Sequence, residues 1–379
     1  MRVKLVLSAL VAVGAVLLGT APASATSLQR PAPGTMDPAL RSRIDALAKA
    51  AIGNGVTGVI VGISDPVNGN LLAGYGTSDR KGTPMTPDLH YRIASVTKTF
   101  TATAVLQLVD RHRLSLDDRL SRYVRGIPNG DRITVRDLLA MRSGLYDYAD
   151  DPSIYGPYQQ DPLLPGYTND TALKVIRDHA PLAAPDTVTH YSNTNYLLLG
   201  LIMEKVTGEP APRTIERLAR RSGLTSTSFP TTPDMPKPYV HGYLLPTDPG
   251  PDRDVTRSNM IYPYTAGAVV STVPDMLRYA SQLGTGAGLS PATFRERLTW
   301  GPLNDTGVRF QYGLGITQLG DWVGHNGSIF GYSDVVTYLS SAKASVVVMV
   351  NAADGEQVPA MELWGKIVTT LYPTSLPTW

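Results

Sequence analysis

The 379-residue chain contains no cysteine. That absence excludes disulfides, a thiolate nucleophile and any cysteine-based zinc site. Stability must then come from a buried core, and a chain of this length can bury a large one. Charge of either sign is also lacking in excess, with 34 Lys and Arg against 32 Asp and Glu. A surface for duplex nucleic acid needs a basic patch to neutralise phosphates, so no nucleic-acid partner is expected. One long apolar run exists and no second: residues 5–19 follow Arg2 and Lys4, and Ala23-Ser24-Ala25 closes the segment. The run falls short of the ~20 apolar residues that a bilayer core requires. It reads as a secretory signal peptide over residues 1–25, cleaved after Ala25, which makes the mature chain secreted, formally neutral and free of a membrane span. Neither G-x-S-x-G nor H-E-x-x-H occurs, so an α/β-hydrolase and a zinc protease have no anchor. Residues 53–58, Gly-Asn-Gly-Val-Thr-Gly, spell a dinucleotide fingerprint but precede their strand instead of following one, which excludes a Rossmann oxidoreductase.

Residues 26–36, rich in Pro, Ser and Thr, read as a disordered lead-in. Asp37-Pro38 then caps a helix whose apolar face is Leu40, Ile44, Leu47 and Ala51, ended by Gly53. The β-branched run 59–63, the turn signal Asn68-Gly69 and the run 71–75 predict a hairpin. From about residue 111 to 263 the pattern is helical, for example over 196–206, with Pro- and Tyr-rich loops and no convincing strand. Strands return at 310–319, 322–325, 332–339 and 345–351, and a helix over 358–371 closes the chain. The expected fold class is α/β of the α+β type. A mostly antiparallel sheet, with strands and flanking helices from both chain ends (37–110 and 264–372), carries an inserted all-α part within one catalytic domain, 37–379. Sites form readily at such junctions.

Ser95-Val96-Thr97-Lys98 follows the strand-like Tyr91-Arg92-Ile93 and opens a helical stretch. Residues three apart share a helix face, so the hydroxyl of Ser95 and the amine of Lys98 come within reach of each other. An alcohol needs an adjacent base, and a lysine serves if burial holds its amine neutral. The same residues also read as a helix cap with a solvated lysine. Ser340-Ser341-Ala342-Lys343 matches the pattern too, but stands in a turn between strands. Tyr191-Ser192-Asn193 precedes another helix; a phenol there could relay a proton, and an Asn amide could grip a substrate carbonyl. Tyr167-Thr168-Asn169 has the same spelling, and spacing does not choose between them. His325-Asn326-Gly327, followed by Ser328, lies near a strand end, where a glycine lets substrate lie along the edge and the next amide can donate to an oxyanion.

In this order the three motifs resemble those of the penicillin-recognising serine enzymes, which carry S-x-x-K, then Y-x-N, then K-T-G or H-x-G. The likeness is greatest to the secreted serine D-alanyl-D-alanine carboxypeptidases, whose third motif begins with His, where class C β-lactamases usually have Lys. It runs from about residue 37 to 371 and includes RIASVTKTF, LLAMRSGLYDY, HYSNTNYLLLGLIMEKVTG, TAGAVVST and YGLGI. The resemblance implies a β-lactamase/DD-peptidase-like fold and selects Tyr191 over Tyr167. It makes Ser95 the acylated nucleophile, Lys98 its base, Tyr191 a proton relay and His325 the residue completing the site. Asn193 would hold the substrate amide, the amides of Ser95 and Ser328 would form the oxyanion hole beside Gly327, and Tyr262 would supply an aromatic wall or a plain core contact.

The implied reaction removes the terminal D-alanine of peptidoglycan stem peptides through an acyl-enzyme. It uses no metal and no cofactor, in a chain expected to be a monomer, with β-lactams as covalent inhibitors. A β-lactamase, a promiscuous esterase or a D-amino-acid peptidase on the same scaffold is the alternative. One departure bears on the choice. The carboxypeptidases place an arginine just after G-L-G to receive the terminal carboxylate, whereas Gly313-Leu314-Gly315 is followed by Ile316, Thr317 and Gln318. Position 326 is also Asn where Thr is usual. Loss of a charge-assisted pair is worth ~1.5–3 kcal/mol.

Overall fold

The computed structural model describes residues 34–244, 253–303, 310–353 and 358–376. The expected signal peptide lies outside the described residues, and among these no helix is long and apolar enough to cross a membrane.

The N-terminal part begins with α1 (Pro38–Ala50), whose cap is Asp37: its carboxylate accepts from the amides of Ala39 at 2.9 Å and Leu40 at 3.0 Å. The hairpin β1 (Gly58–Ser64) and β2 (Leu71–Gly76) follows. Asp65 closes its turn by accepting from the amides of Val67 and Asn68. A short β3 (Tyr91–Arg92) leads into α2 (Thr97–Asp110). The insert contributes α3 (Val135–Leu139), α4 (Pro152–Gln160), α5 (Asn169–Asp178), α6 (Asn193–Thr207) and α7 (Ala211–Arg221). After them come β4 (Tyr243–Leu244), β5 (Arg253–Asp254), α8 (Tyr264–Gly267), β6 (Val270–Ser271), α9 (Val273–Thr285) and α10 (Pro291–Arg297). The chain returns to the sheet as β7 (Gly301–Pro302), β8 (Gln311–Tyr312), β9 (Thr317–Leu319), β10 (Trp322–Ile329), β11 (Tyr332–Leu339) and β12 (Ala344–Val350), and ends with α11 (Pro359–Leu371).

The main sheet has the order β2-β1-β12-β11-β10-β9-β8-β7 and is antiparallel throughout. Every residue of β11 and β12 is buried, so both faces of the central strands are covered. Successive strand side chains alternate between faces. Tyr338 meets Gly284 of α9, whereas the neighbouring Thr337 accepts a hydrogen bond from Trp364 of α11. The two helices therefore sandwich the sheet. This is the β-lactamase-like α/β fold expected from the sequence, with strands supplied by both ends of the chain.

Three expectations need correcting. Residues 34–36 are not a loose lead-in: Thr35 bridges to Asn70, and Met36 is buried in the core. The stretch 310–319 is not one strand. Gly315 takes φ +72°, a left-handed conformation suited to glycine, and turns β8 back onto β9. The insert is not purely helical either, because the short strands β4 and β5 pair with each other.

Candidate active site

Ser95 sits in a single 3-10 turn, residues 94–96, between β3 and α2. Ala94, just before it, has φ +43°, a conformation costing a non-glycine residue about 1 kcal/mol or more. Packing holds it there: the Ile93 amide donates to the Val269 carbonyl at 3.0 Å, and Gly327 lies directly against Ile93 and Ala94. One turn further on, the fully buried Lys98 Nζ lies 3.0 Å from Ser95 Oγ. The same nitrogen is 2.8 Å from Asn193 Oδ1 and 2.9 Å from the Ala266 carbonyl. Burial lowers the Lys98 pKa to about 7, opposed by the negative charge of Asp147. A neutral amine is thus accessible near neutral pH, as a general base requires.

Asn193 opens α6, and Tyr191 stands two residues before it. The Tyr191 ring lies 4.9 Å from Lys98 Nζ and packs at 6.1 Å on Tyr312 and 6.2 Å on His325, between ring centroids. His325 is buried within β10, not near its end. Its Nδ1 donates to the Asn326 carbonyl at 2.6 Å, which leaves Nε2 to accept from the Tyr312 hydroxyl at 3.3 Å. Burial, then the charge of Lys98, drops its pKa to about 3. His325 is a neutral imidazole across the physiological range.

Gly327 and Ser328 continue the strand, opposite Asp334 and Ser333 of β11. The register with β9 covers only residues 322–324 of β10, so among the described residues no strand pairs with the next residues on that side. Gly327 leaves no room for a side chain. A Cβ there would lie 2.1 Å from Asp334 Oδ1 and 2.6 Å from the Ile93 carbonyl oxygen. The structure thus brings Ser95, Lys98, Tyr191, Asn193 and His325 around one point, with Gly327 pressed against the turn that carries the serine.

Tyr262 is placed differently. It is buried in a cluster with Tyr148, Tyr158 and Tyr167, and its hydroxyl donates to the Ala149 carbonyl at 3.3 Å. The core contact, one of the two roles expected for it, is the one seen. Tyr167, the second spelling of the motif, belongs to the same buried cluster, and Lys343 of the second S-x-x-K lies in an exposed turn. After Gly315 the positions are occupied without a cation: Ile316 is buried, Thr317 Oγ1 donates to the Gly324 carbonyl and Gln318 to that of Gly320. Arg297 is beneath that turn but fully buried, donating to Thr103 Oγ1 and to the carbonyls of Thr99 and Gly315.

The model of the Beta-lactamase family matches residues 42–366 of the chain. The chain belongs to that family. Among solved structures, a D-stereospecific amidohydrolase from Streptomyces sp. superposes with a TM-score of 0.77 at 28% identity, over 87% of this chain and 98% of that one. The D-amino acid amidase of Ochrobactrum anthropi SV3 gives a TM-score of 0.78 at 25% identity, over 88% and 99%. Protein flp of Staphylococcus aureus is 33% identical over 183 residues, which is 46% of this chain but only 35% of that protein. Membership of the Beta-lactamase family makes the chain a serine hydrolase by class.

Several residues at the site escaped the sequence reading. Asp147 was spelled out within LLAMRSGLYDY but carried no signal of its own. Its carboxylate accepts from the Asn193 backbone at 2.9 Å, from Asn193 Nδ2 at 3.0 Å and from the Ala149 amide at 3.0 Å. Tyr312, beneath His325, lies in the predicted strand and opens YGLGI, but neither attaches a role to it. Asp334 is fully buried behind Gly327, with no hydrogen-bond partner for either oxygen among the described residues, and burial raises its pKa well above the carboxylate range.

Proposed function

We propose that the chain is an exported serine hydrolase that cleaves the bond following a D-alanyl residue, with D-alanyl-D-alanine stem peptides of peptidoglycan as its substrate. The observation that carries this reading is the amine of Lys98, buried, with a pKa near 7 and 3.0 Å from Ser95 Oγ. Ser95 Oγ attacks the penultimate carbonyl carbon as its proton passes to Lys98 Nζ. The amides of Ser95 and Ser328 receive the oxyanion. The C–N bond then breaks, and the departing amine takes a proton by way of Tyr191. Water follows the same route in reverse and frees the acid. β-Lactams, whose strained amide presents a similar carbonyl, acylate the same serine.

A second reading has a specific observation in its favour. With Ile316, Thr317 and Gln318 where a guanidinium would bind a carboxylate, those positions carry no group that distinguishes a free C-terminus. A broader hydrolase of D-amino-acid amides and peptides fits that absence, as do the two D-selective amidohydrolases that superpose on the chain. The test compares kcat/KM for a D-alanyl-D-alanine peptide, its C-terminal amide and its L-alanyl epimer. A strict carboxypeptidase loses about 10-fold or more on amidation, the worth of a charge-assisted pair. The broader enzyme loses less and still rejects the L-epimer. Equal turnover of both epimers contradicts both readings.

A further inference from the structure

We propose that Asp147 is a positioning residue that aims the lone pair of Lys98 at Ser95, acting through Asn193. The proposal rests on the acyl-enzyme reading above and assigns a task to a buried carboxylate which that mechanism leaves idle.

The argument is one of donors and acceptors. A neutral lysine amine has two N–H donors and one lone pair. Lys98 Nζ has three neighbours at hydrogen-bond distance: Ser95 Oγ, Asn193 Oδ1 and the Ala266 carbonyl. A carbonyl oxygen only accepts, so Ala266 takes one N–H. If Asn193 also presents its oxygen, it takes the second, and the lone pair is left facing the one neighbour able to donate, the Ser95 hydroxyl. A flipped Asn193 would present its NH2 group and draw the lone pair away. Asp147 decides between the two orientations. An ionised carboxylate only accepts, and Asp147 Oδ2 receives both the backbone amide and Nδ2 of Asn193, which turns Oδ1 towards Lys98. The Ala149 amide, donating to Oδ1 of Asp147, fixes the carboxylate in turn.

The carboxylate also acts through its charge. Burial raises its pKa, against the donors from Asn193 and Ala149 and the charge of Lys98, and it in turn favours the ammonium form of Lys98. The other titratable groups facing the pair are the neutral His325 and the phenols of Tyr191 and Tyr196 on the Lys98 side, and Asp150 with the phenols of Tyr146, Tyr148, Tyr167 and Tyr262 on the Asp147 side. Asp150 is raised to about 7, by burial first and then by the Asp147 charge. Its variant D150N is therefore the control in any pH profile.

The experiment measures the rate of Ser95 acylation by a chromogenic ester as a function of pH, with folding of each variant checked by circular dichroism. D147L has no acceptor for Asn193 and slows acylation about 10²-fold, the scale of a misaimed catalytic group. D147N can still offer one oxygen to Asn193 and recovers part of that rate. It has lost the counter-charge, so its acid limb moves below that of the wild type, a shift D150N does not reproduce. D147L combined with N193A is no slower than N193A alone, because the effect runs through Asn193. A D147L enzyme as fast as wild type, or losses that multiply in the double variant, overturns the proposal. If D147L does not fold, D147N decides, and an unmoved acid limb is then the contrary result. A wild type that never acylates removes the underlying reading; one that acylates while the variants match it removes this proposal alone.

Discussion

Lys98 is the residue on which the chemistry turns, and its pKa has a sign that can be checked. Burial favours the neutral amine, so the group loses its proton near pH 7 instead of above 10. Activity should rise through an acid limb centred near that value, since only the free amine accepts the serine proton. His325, neutral down to about 3, contributes no limb between pH 5 and 8. Lys98→Arg keeps the charge but can never give up its proton, so kcat/KM falls by about 10²–10⁴, the usual worth of a general base. Steady-state kinetics across the pH range checks both. Asp334 gives a prediction of the opposite kind, about stability. Its folded pKa lies above the unfolded value, so between the two the native state holds a proton that the unfolded chain has released. Stability therefore declines as pH rises through that window. Asp334→Asn, neutral at every pH, should gain thermal stability over wild type on going from about pH 5 to about pH 8, and none below the unfolded carboxylate pKa of about 4. Calorimetry at both ends of the range reads the difference.

Ser95, Lys98, Tyr191, Asn193 and His325 could be picked out in the sequence because three short motifs stand together in the order seen in the penicillin-recognising serine enzymes; spacing alone did not separate Tyr191 from Tyr167. Asp147 and Asp334 could not be picked out. Their contacts, with Asn193 and with Gly327, are set by folding and not by neighbourhood in the chain.

At the level of elements, α2 and β10 do the positioning. The first begins at Thr97, immediately after the strained turn, so its first residues hold Ser95 and Lys98 in a fixed relation. The second presses Gly327 against the back of that turn. Gly327→Ala places a methyl group within contact of the Ile93 carbonyl and Asp334, both of which would have to move. The cost in stability is about 1–3 kcal/mol, typical of overpacking. Acylation should fall further than stability alone explains, because the displaced backbone carries the nucleophile; urea titration beside the acylation rate separates the two. The hydrophobic runs showed β1, β2, β11, β12 and the helix α11 within a residue or two. The turn inside 310–319 stayed hidden, since a glycine in an apolar run looks the same whether the chain passes straight through or doubles back. The pairing of β4 with β5 was equally invisible, because two-residue strands leave no period to read.

On the scale of the whole molecule, the sheet order joins both ends of the chain, with β1 beside β12, and the insert packs through α6 on α2 and α8. The site draws Ser95 from the turn before α2, Lys98 from α2, Asn193 from the insert and His325 from the C-terminal half. Every one of these groups comes from a single chain, so we propose that the monomer is sufficient for activity. Light scattering should give the mass of one chain at a dilution that leaves specific activity unchanged. Activity lost in step with dissociation of a larger assembly would contradict that.

The central claim is that a single hydroxyl, at position 95, becomes covalently acylated. Incubation with a penicillin, followed by proteolysis and mass mapping, tests it most directly. The account predicts one adduct, on the peptide carrying Ser95, absent from Ser95→Ala and strongly slowed in Lys98→Arg. An adduct on another residue, or hydrolysis of D-alanyl peptides that survives in Ser95→Ala, would contradict it.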